Sequence, residues 1–514
     1  MRTTVRLLQK LQFLSAVFLS IVFLSCGGGS STQNPDPNPN PNPGVADATI
    51  TVNPNPTFQT WQAWRFTVRS PKLQTPSGCL TLANGILNAY MNDLVNDLGM
   101  NGMRLEQHRS QGLEAAANDN ADPQQLNLAA FVPGLESPLP NDPCGSLPKV
   151  DVIPKLVVPY RNLVISRTEP FELYVSFVYG QFADQPAWWQ NNPQEAAEAA
   201  QAYVTWFRQN FGFAPDWFTY NEPNSGYFGS NQWMGNFTVA LGAKFQSMGV
   251  ATRIEQPSSV TPGSAVSSFD NLVGVPGASS RVGRLTFHGY DYSSTRWPSS
   301  SDISARNGVR TRAQSLGIAT GMTEICCKSG WDGDYANGLD LVRDMYLNMT
   351  EANISLWEPL GISTVCTAAG CPVGAGSGQN LINFEPNLST YYLNPHYWVV
   401  RQFVRYIRPG DVRLGTTCTG CFDTADRGPR LKAVAWRRSG GRVTVNLIND
   451  SGGAITVNVT GLPSATYDIF KLDPTLCVSS GGKNRCTPQT EVRTVNGATN
   501  ITIPTNGVWT IRQR

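Results

Sequence analysis

From about residue 48 to about residue 405 the chain repeats one pattern, a short apolar or β-branched run followed by a helical segment, and few architectures accept that order. Apolar runs end near Arg104, Tyr179, Glu222, Gln256, His288, Glu324 and Trp357. The clearest helical pattern covers 193–212, with proline near its start and glycine at its end, and 84–98 and 337–348 are similar. Such alternation predicts a parallel sheet, either doubly wound or closed. Strand ends rich in polar and aromatic residues favour closure, because an eightfold barrel carries its chemistry at the C-terminal ends of its strands. The expected class is α/β, a (β/α)8 TIM barrel over residues 48–405.

Past residue 405 the texture changes. Short alternating runs at 434–436, 442–448, 454–459, 466–470 and 500–504 are separated by Gly, Ser, Asn and Pro. That pattern predicts an attached antiparallel β-sandwich over 406–514, with 48–58 as a candidate extra strand. No acid pair stands out there, so it is read as a packing or glycan-contacting module.

Two carboxylates end strands that then break. Glu222 closes Trp217-Phe-Thr-Tyr-Asn-Glu222 before Pro223, and Glu324 closes Ile318-Ala-Thr-Gly-Met-Thr-Glu324 ahead of Gly330. Their separation, 324 − 222 = 102 residues, suits strands 4 and 7 of a barrel. On facing rims, two carboxyl groups about 5–5.5 Å apart perform retaining glycoside hydrolysis, one as nucleophile and one as acid/base. Glu106, Glu255 and Glu358 compete less well: Glu106 can pair with Arg104, Glu255 lacks a following breaker, and Glu358 faces away from Trp357 if its strand continues.

The front of the chain points to export. Arg2 and Arg6 precede an apolar stretch at 11–24, too short for a comfortable membrane span, and Phe23-Leu-Ser-Cys26 is followed by glycines. This resembles a bacterial lipoprotein signal over 1–25, with Cys26 as the lipidated residue; a cleaved secretory peptide is the alternative. The Pro/Asn tract inside 26–47 favours extended polyproline II and serves as a tether. The expected location is a bacterial membrane through this lipid anchor, facing the cell surface or periplasm.

A net charge of +2 leaves no electrostatic footprint for nucleic acid, and the body is read as a monomer. Thirteen tryptophans suit core packing and also stacking on sugar faces. Without Cys26, ten of the 11 cysteines remain, an even number that predicts disulfides in an exported chain. Candidate pairs are Cys366 with Cys371, Cys418 with Cys421, Cys477 with Cys486, and Cys79 with Cys144, while Cys326 and Cys327 form either distant bridges or a vicinal one. A zinc site from Cys418, Cys421, Cys477 and Cys486 is the alternative.

Tyr220-Asn-Glu-Pro223, Thr286-Phe-His-Gly-Tyr290, Thr323-Glu324, Trp357 and Tyr406-Ile-Arg-Pro-Gly-Asp-Val-Arg413 together resemble glycoside hydrolase family 30, across roughly residues 48–514. The resemblance implies a barrel whose sandwich borrows N-terminal sequence, activity on β-linked glycans, and no cofactor or metal. It implies Glu222 as acid/base, Glu324 as nucleophile, and Asn221 as hydrogen-bond partner of the sugar 2-hydroxyl.

Arg104 is placed to hydrogen-bond Glu324, or else serves a structural ion pair. His288 and Tyr290 are placed to touch the nucleophile or a sugar, though a core histidine is also possible, and Trp357 is placed to floor a subsite or to pack in the core. The chain departs from the family at Trp61-Gln-Ala-Trp-Arg65, where bulky residues replace a glycine-rich opening and are expected to intrude on the cleft, and at Ile325-Cys-Cys-Lys328. Those departures point to a divergent branch with its own glycan. An inactive glycan-binding lipoprotein and a transglycosylase of the same fold are the competing readings.

Overall fold

A computed structural model describes residues 46–514 except 69–71, 76–77, 109–116, 137–147, 179–186, 223–231, 292–298, 326–333, 367–379, 422–429 and 478–484. Eight parallel strands close into a barrel: Ala63–Val68, Gly102–His108, Glu172–Val178, Trp217–Tyr220, Arg253–Ser259, Val282–His288, Ala319–Glu324 and Ile354–Trp357. The eighth pairs back onto the first through Leu356 with Ala63 and Trp357 with Trp64. We call them barrel strands 1 to 8.

Helices cover the outside. The helix Pro193–Phe211 starts where the Asn192 side chain accepts from Gln194 N, places Glu195 in its first turn, and stops at Gly212, whose φ of 77° a side chain would resist. Its buried face carries Ala199, Tyr203, Trp206 and Phe207 toward the strands. Alternation along strand 4 turns Phe218 and Tyr220 outward, where they meet Phe177, Phe245, Trp233 and Phe237 edge-on. This layer is the barrel's apolar core.

Nine more strands form one further sheet, running from Gln489–Val495 at one edge to Ala498–Ile503 at the other. Its pairings are antiparallel except where Ala48–Thr60 lies parallel to Ile455–Thr460. Strands near both edges feed one apolar cluster, with Ile50, Val457 and Ile501 beside Val445, Ile469 and Ile511, so the sheet curls into two layers. Cys418 is bridged to Cys421 and Cys477 to Cys486, which removes the zinc alternative because neither pair keeps a free thiolate. Cys366 is also disulfide-bonded. The proposed partners Cys371 and Cys144, the pair Cys326–Cys327, and the leader with Cys26 lie outside the described residues.

Trp61 and Trp64 do not enter a cleft as the sequence suggested. Trp61 packs on Trp64, with centroids 4.2 Å apart, and edge-on to Trp436 of the sheet domain, while Trp64 Nε1 donates to Ile407 O at 2.7 Å. The phase of strand 1 decides this: Trp64 and Phe66 turn outward, and Arg65 and Thr67 turn into the lumen. The two indoles thus join the barrel to the sheet domain.

Candidate active site

The barrel lumen is ionic where apolar layers are the common filling. Arg65 donates to Glu358 Oε2 (2.9 Å), Glu172 Oε1 (3.0 Å) and Glu255 Oε1 (2.7 Å). Arg284 donates to Glu255 Oε2 (2.8 Å) and Glu172 Oε1 (3.1 Å), and to Gln62 Oε1. The rings of Tyr174 and Trp217 back the two guanidiniums at 4.2 and 4.0 Å. Gly102 leaves room for this: a Cβ there would lie 2.6 Å from Arg65 Cγ. Burial alone would raise the Glu172 carboxyl, but Arg284 and Arg65 outweigh it and hold Glu172 down at about 2. The Arg65 guanidinium, which burial alone would weaken, is held firmly charged by Glu255, Glu358 and Glu172.

Above this floor sit the predicted site residues, each placed by strand phase. Arg284, Thr286 and His288 follow one another at period two up strand 6, so the same face that carries Arg284 in the lumen carries His288 to the rim. Strand 7 has a register shift between Met322 and Glu324, which pairs Glu324 with His288. That irregularity turns the carboxylate inward after Gly321 and Thr323 have used the lumen-facing positions. On strand 4 the alternation ends at Glu222, whose φ of 54° is left-handed, a conformation that costs a non-glycine residue of order 1–3 kcal/mol. The Glu222 N–H donates to Ser258 O at 3.1 Å, and Ser258 is itself left-handed at φ 52°.

The geometry is tight. Glu324 Oε2 accepts from Arg104 Nη1 at 2.6 Å, and its Oε1 accepts from the Tyr290 hydroxyl at 2.7 Å. His288 Nδ1 is 3.0 Å from Glu222 Oε1 and 3.7 Å from Glu324 Oε1, so the imidazole stands between the two carboxyl groups. One oxygen of Glu222, one of Glu324 and the His288 ring nitrogen lie within 4.8 Å of one another, a grouping whose size could also hold a metal ion. Both oxygens of Glu324 already accept strong donors, so the cluster reads more simply as a carboxylate pair. The far ring nitrogen, Nε2, is 3.3 Å from Ser258 Oγ, which also meets Thr323 Oγ1 at 2.9 Å.

Arg104 is steadied by Ser176 Oγ at 2.8 Å and by Glu106 Oε1 at 3.1 Å. Glu324 and Glu106 push its guanidinium well above its ordinary value against the opposing effect of burial. Burial and the Glu324 anion raise the Tyr290 phenol, which keeps it a donor. Asn221 is buried, with its N–H on Phe177 O at 2.9 Å and its Oδ1 without a hydrogen-bond partner among the described residues.

Glu222, Glu324, Arg104, His288 and Tyr290 therefore meet in one place, with Asn221 beside Glu222 in the chain. Trp357 does not join them. It is fully buried and edge-on to Trp64 at 6.1 Å, in the outward layer, because Glu358 takes the lumen side of strand 8. A ring so enclosed cannot floor a sugar subsite.

Sequence reasoning set Glu255 and Glu358 aside, yet both lie fully buried in the lumen network. Period-two spacing from Arg284 to His288 and from Arg65 to Thr67 was the signal for that network. Ser258 carried no signal at all.

No family model matches this sequence, and no curated protein matches it. Solved structures do. The catalytic domain of a GH30 xylanase C from Talaromyces cellulolyticus is 18% identical, with 91% of this chain and 100% of that one covered and a TM-score of 0.63. An endo-β-1,6-glucanase is 15% identical over 90% of this chain and 94% of its own, at 0.57. A GH51 α-L-arabinofuranosidase from Thermotoga petrophila is 11% identical over 91% and 100%, at 0.58. The chain thus has a divergent fold of the glycoside hydrolase family 30 type, a TIM barrel with an attached β-domain.

Proposed function

We propose that this protein is a retaining β-glycoside hydrolase acting by double displacement, with Glu324 as nucleophile and Glu222 as acid/base. The observation that carries the reading is the approach of the two carboxyl groups, with oxygens within 4.8 Å, on strands 4 and 7 of a barrel whose fold is shared with glycoside hydrolases. Oxygens that approach so closely suit the roughly 5–5.5 Å spacing of a retaining pair.

The two glutamates differ in what surrounds them. Glu324 accepts from a guanidinium through one oxygen and from a phenol through the other, which fixes its carboxyl group in place. Glu222 has the imidazole of His288 beside it, with Nδ1 3.0 Å from Oε1, a contact that fixes the carboxyl group. Attack by Glu324 on the anomeric carbon breaks the glycosidic bond while Glu222 protonates the departing oxygen; water then enters with Glu222 as base and releases Glu324. Asn221 Oδ1, buried and without a hydrogen-bond partner among the described residues, would accept from a sugar 2-hydroxyl. The substrate is a β-linked glycan, the lipoprotein signal at 1–25 with lipidated Cys26 would place the exported enzyme on a bacterial membrane, and the enzyme acts as a monomer.

The test is reducing-sugar release from a panel of β-1,4-xylan, β-1,6-glucan and β-1,6-galactan by the purified protein, beside its Glu222→Gln and Glu324→Gln variants. Release abolished by both substitutions supports the reading. Binding without release by the wild type would favour a glycan-binding protein that has kept the barrel and lost turnover.

A further inference from the structure

Three lumen guanidiniums, Arg65, Arg104 and Arg284, are each paired with more than one of the carboxyl groups Glu106, Glu172, Glu255, Glu324 and Glu358. Arg65 is thus shared by three carboxyl groups, Arg284 by two and Arg104 by three, and a buried carboxylate that shares its cation is costly to keep charged. The most enclosed member closest to the active site is Glu358, fully buried at the end of strand 8. Its Oε2 accepts from Arg65 Nε at 2.9 Å, and its Oε1 lies 3.4 Å from Thr67 Oγ1 and 3.6 Å from Arg104 Nη1. That same Nη1 donates to Glu324 Oε2 at 2.6 Å.

We propose that Glu358 is a positioning residue: it carries the lumen's proton while Glu324 is an anion, leaving Arg104 to Glu324, and takes Arg104 for itself when Glu324 becomes neutral. The groups facing it are Arg65 and Thr67 from strand 1, Arg104 from strand 2, Tyr174 from strand 3, Glu255 from strand 5 and Glu324 from strand 7. Their sum agrees with the geometry. Burial raises the Glu358 carboxyl, Arg65 and Arg104 pull it back, Glu255 and Glu324 raise it again, and it comes to about 7.

By linkage, a carboxyl raised in the folded state gives stability that is full below its unfolded value of about 4.3 and is lost as pH rises through the folded one. Coupling through a shared cation is reciprocal: whatever neutralises Glu324 makes Glu358 more acidic. Esterification of Glu324 in a double displacement would do so, with the proton of Glu358 passing to bulk water. Only the role of Glu324 as nucleophile rests on the function proposed above. The proton and its coupling are read without turnover.

The experiment is thermal unfolding of the full chain from pH 5 to pH 8, for the wild type, Glu358→Gln, Glu324→Gln and the double variant. The wild type should lose stability progressively from about pH 5 and level off near pH 7, and Glu358→Gln, which copies the protonated shape, should lack that loss and be the more stable at pH 8. With Glu324→Gln the loss should level off about one pH unit or more lower, and the double variant should again lack it. A Glu358→Gln protein that is destabilised equally at every pH, or that fails to fold at pH 5, overturns the proposal. So does a levelling-off unmoved by Glu324→Gln, whatever glycan the protein does or does not cleave.

Discussion

The two interiors of this molecule are filled in opposite ways. Inside the curled sheet, Ile50, Val445, Val457, Ile469, Ile501 and Ile511 make an apolar core, each side chain contributing roughly 1.5–3 kcal/mol by leaving water. Inside the barrel, strands of equal regularity point Arg65, Arg104, Arg284, Glu172, Glu255 and Glu358 at one another. The barrel takes its apolar stabilisation from the layer between strands and helices, where Phe177, Phe218, Phe237 and Trp206 lie, and gives its lumen to charge. The difference teaches that strands of equal regularity can enclose either apolar packing or paired charge. A buried ion pair adds little stability over an apolar filling, but losing one partner leaves an uncompensated charge.

That contrast breaks first at turnover. Glu222→Gln should lower the hydrolysis rate by about 10²–10⁴-fold, whereas Ile469→Ala in the sheet core should leave the rate of folded protein unchanged, as measured by reducing-sugar release below the melting temperature. In stability, Arg65→Met strands Glu172 and Glu255 together and should cost about 3–5 kcal/mol in urea unfolding. Ile469→Ala should cost about 2–5 kcal/mol, by cavity formation and without pH dependence.

Acid sharpens the comparison at smaller scale. Glu172 is depressed to about 2, so its contribution is present above the ordinary carboxylate value of about 4.3 and is lost as pH falls toward 2. Far- and near-ultraviolet circular dichroism from pH 5 to pH 2 should show the barrel's aromatic signal weakening first. Simultaneous loss of both signals would argue that the lumen carries no separate electrostatic load.

Much of this was legible in the residues. Glu222 and Glu324 stood out because a strand that ends in a carboxylate and then breaks has few structural reasons to do so. The helix at 193–211 was legible from its proline and glycine alone. What stayed hidden was strand phase. Nothing in Trp61-Gln-Ala-Trp-Arg65 says which residue faces the lumen, and a single step of phase exchanges Trp64 for Arg65. The same step put Glu358 inside and Trp357 outside, against the expected sugar platform. The register shift before Glu324 is also invisible in a single sequence, since it depends on how strand 7 meets strand 6.

Double displacement requires that Glu324 become covalently attached to a sugar. The most direct measurement is peptide mass mapping after incubation with activated 2-deoxy-2-fluoro β-glycosides of xylose, glucose and galactose, which trap the glycosyl-enzyme of a retaining enzyme. A sugar adduct on Glu324, absent from Glu324→Gln, is the predicted result. An adduct on Glu222 or another carboxylate, or glycan hydrolysis with inversion at the anomeric carbon, would contradict it.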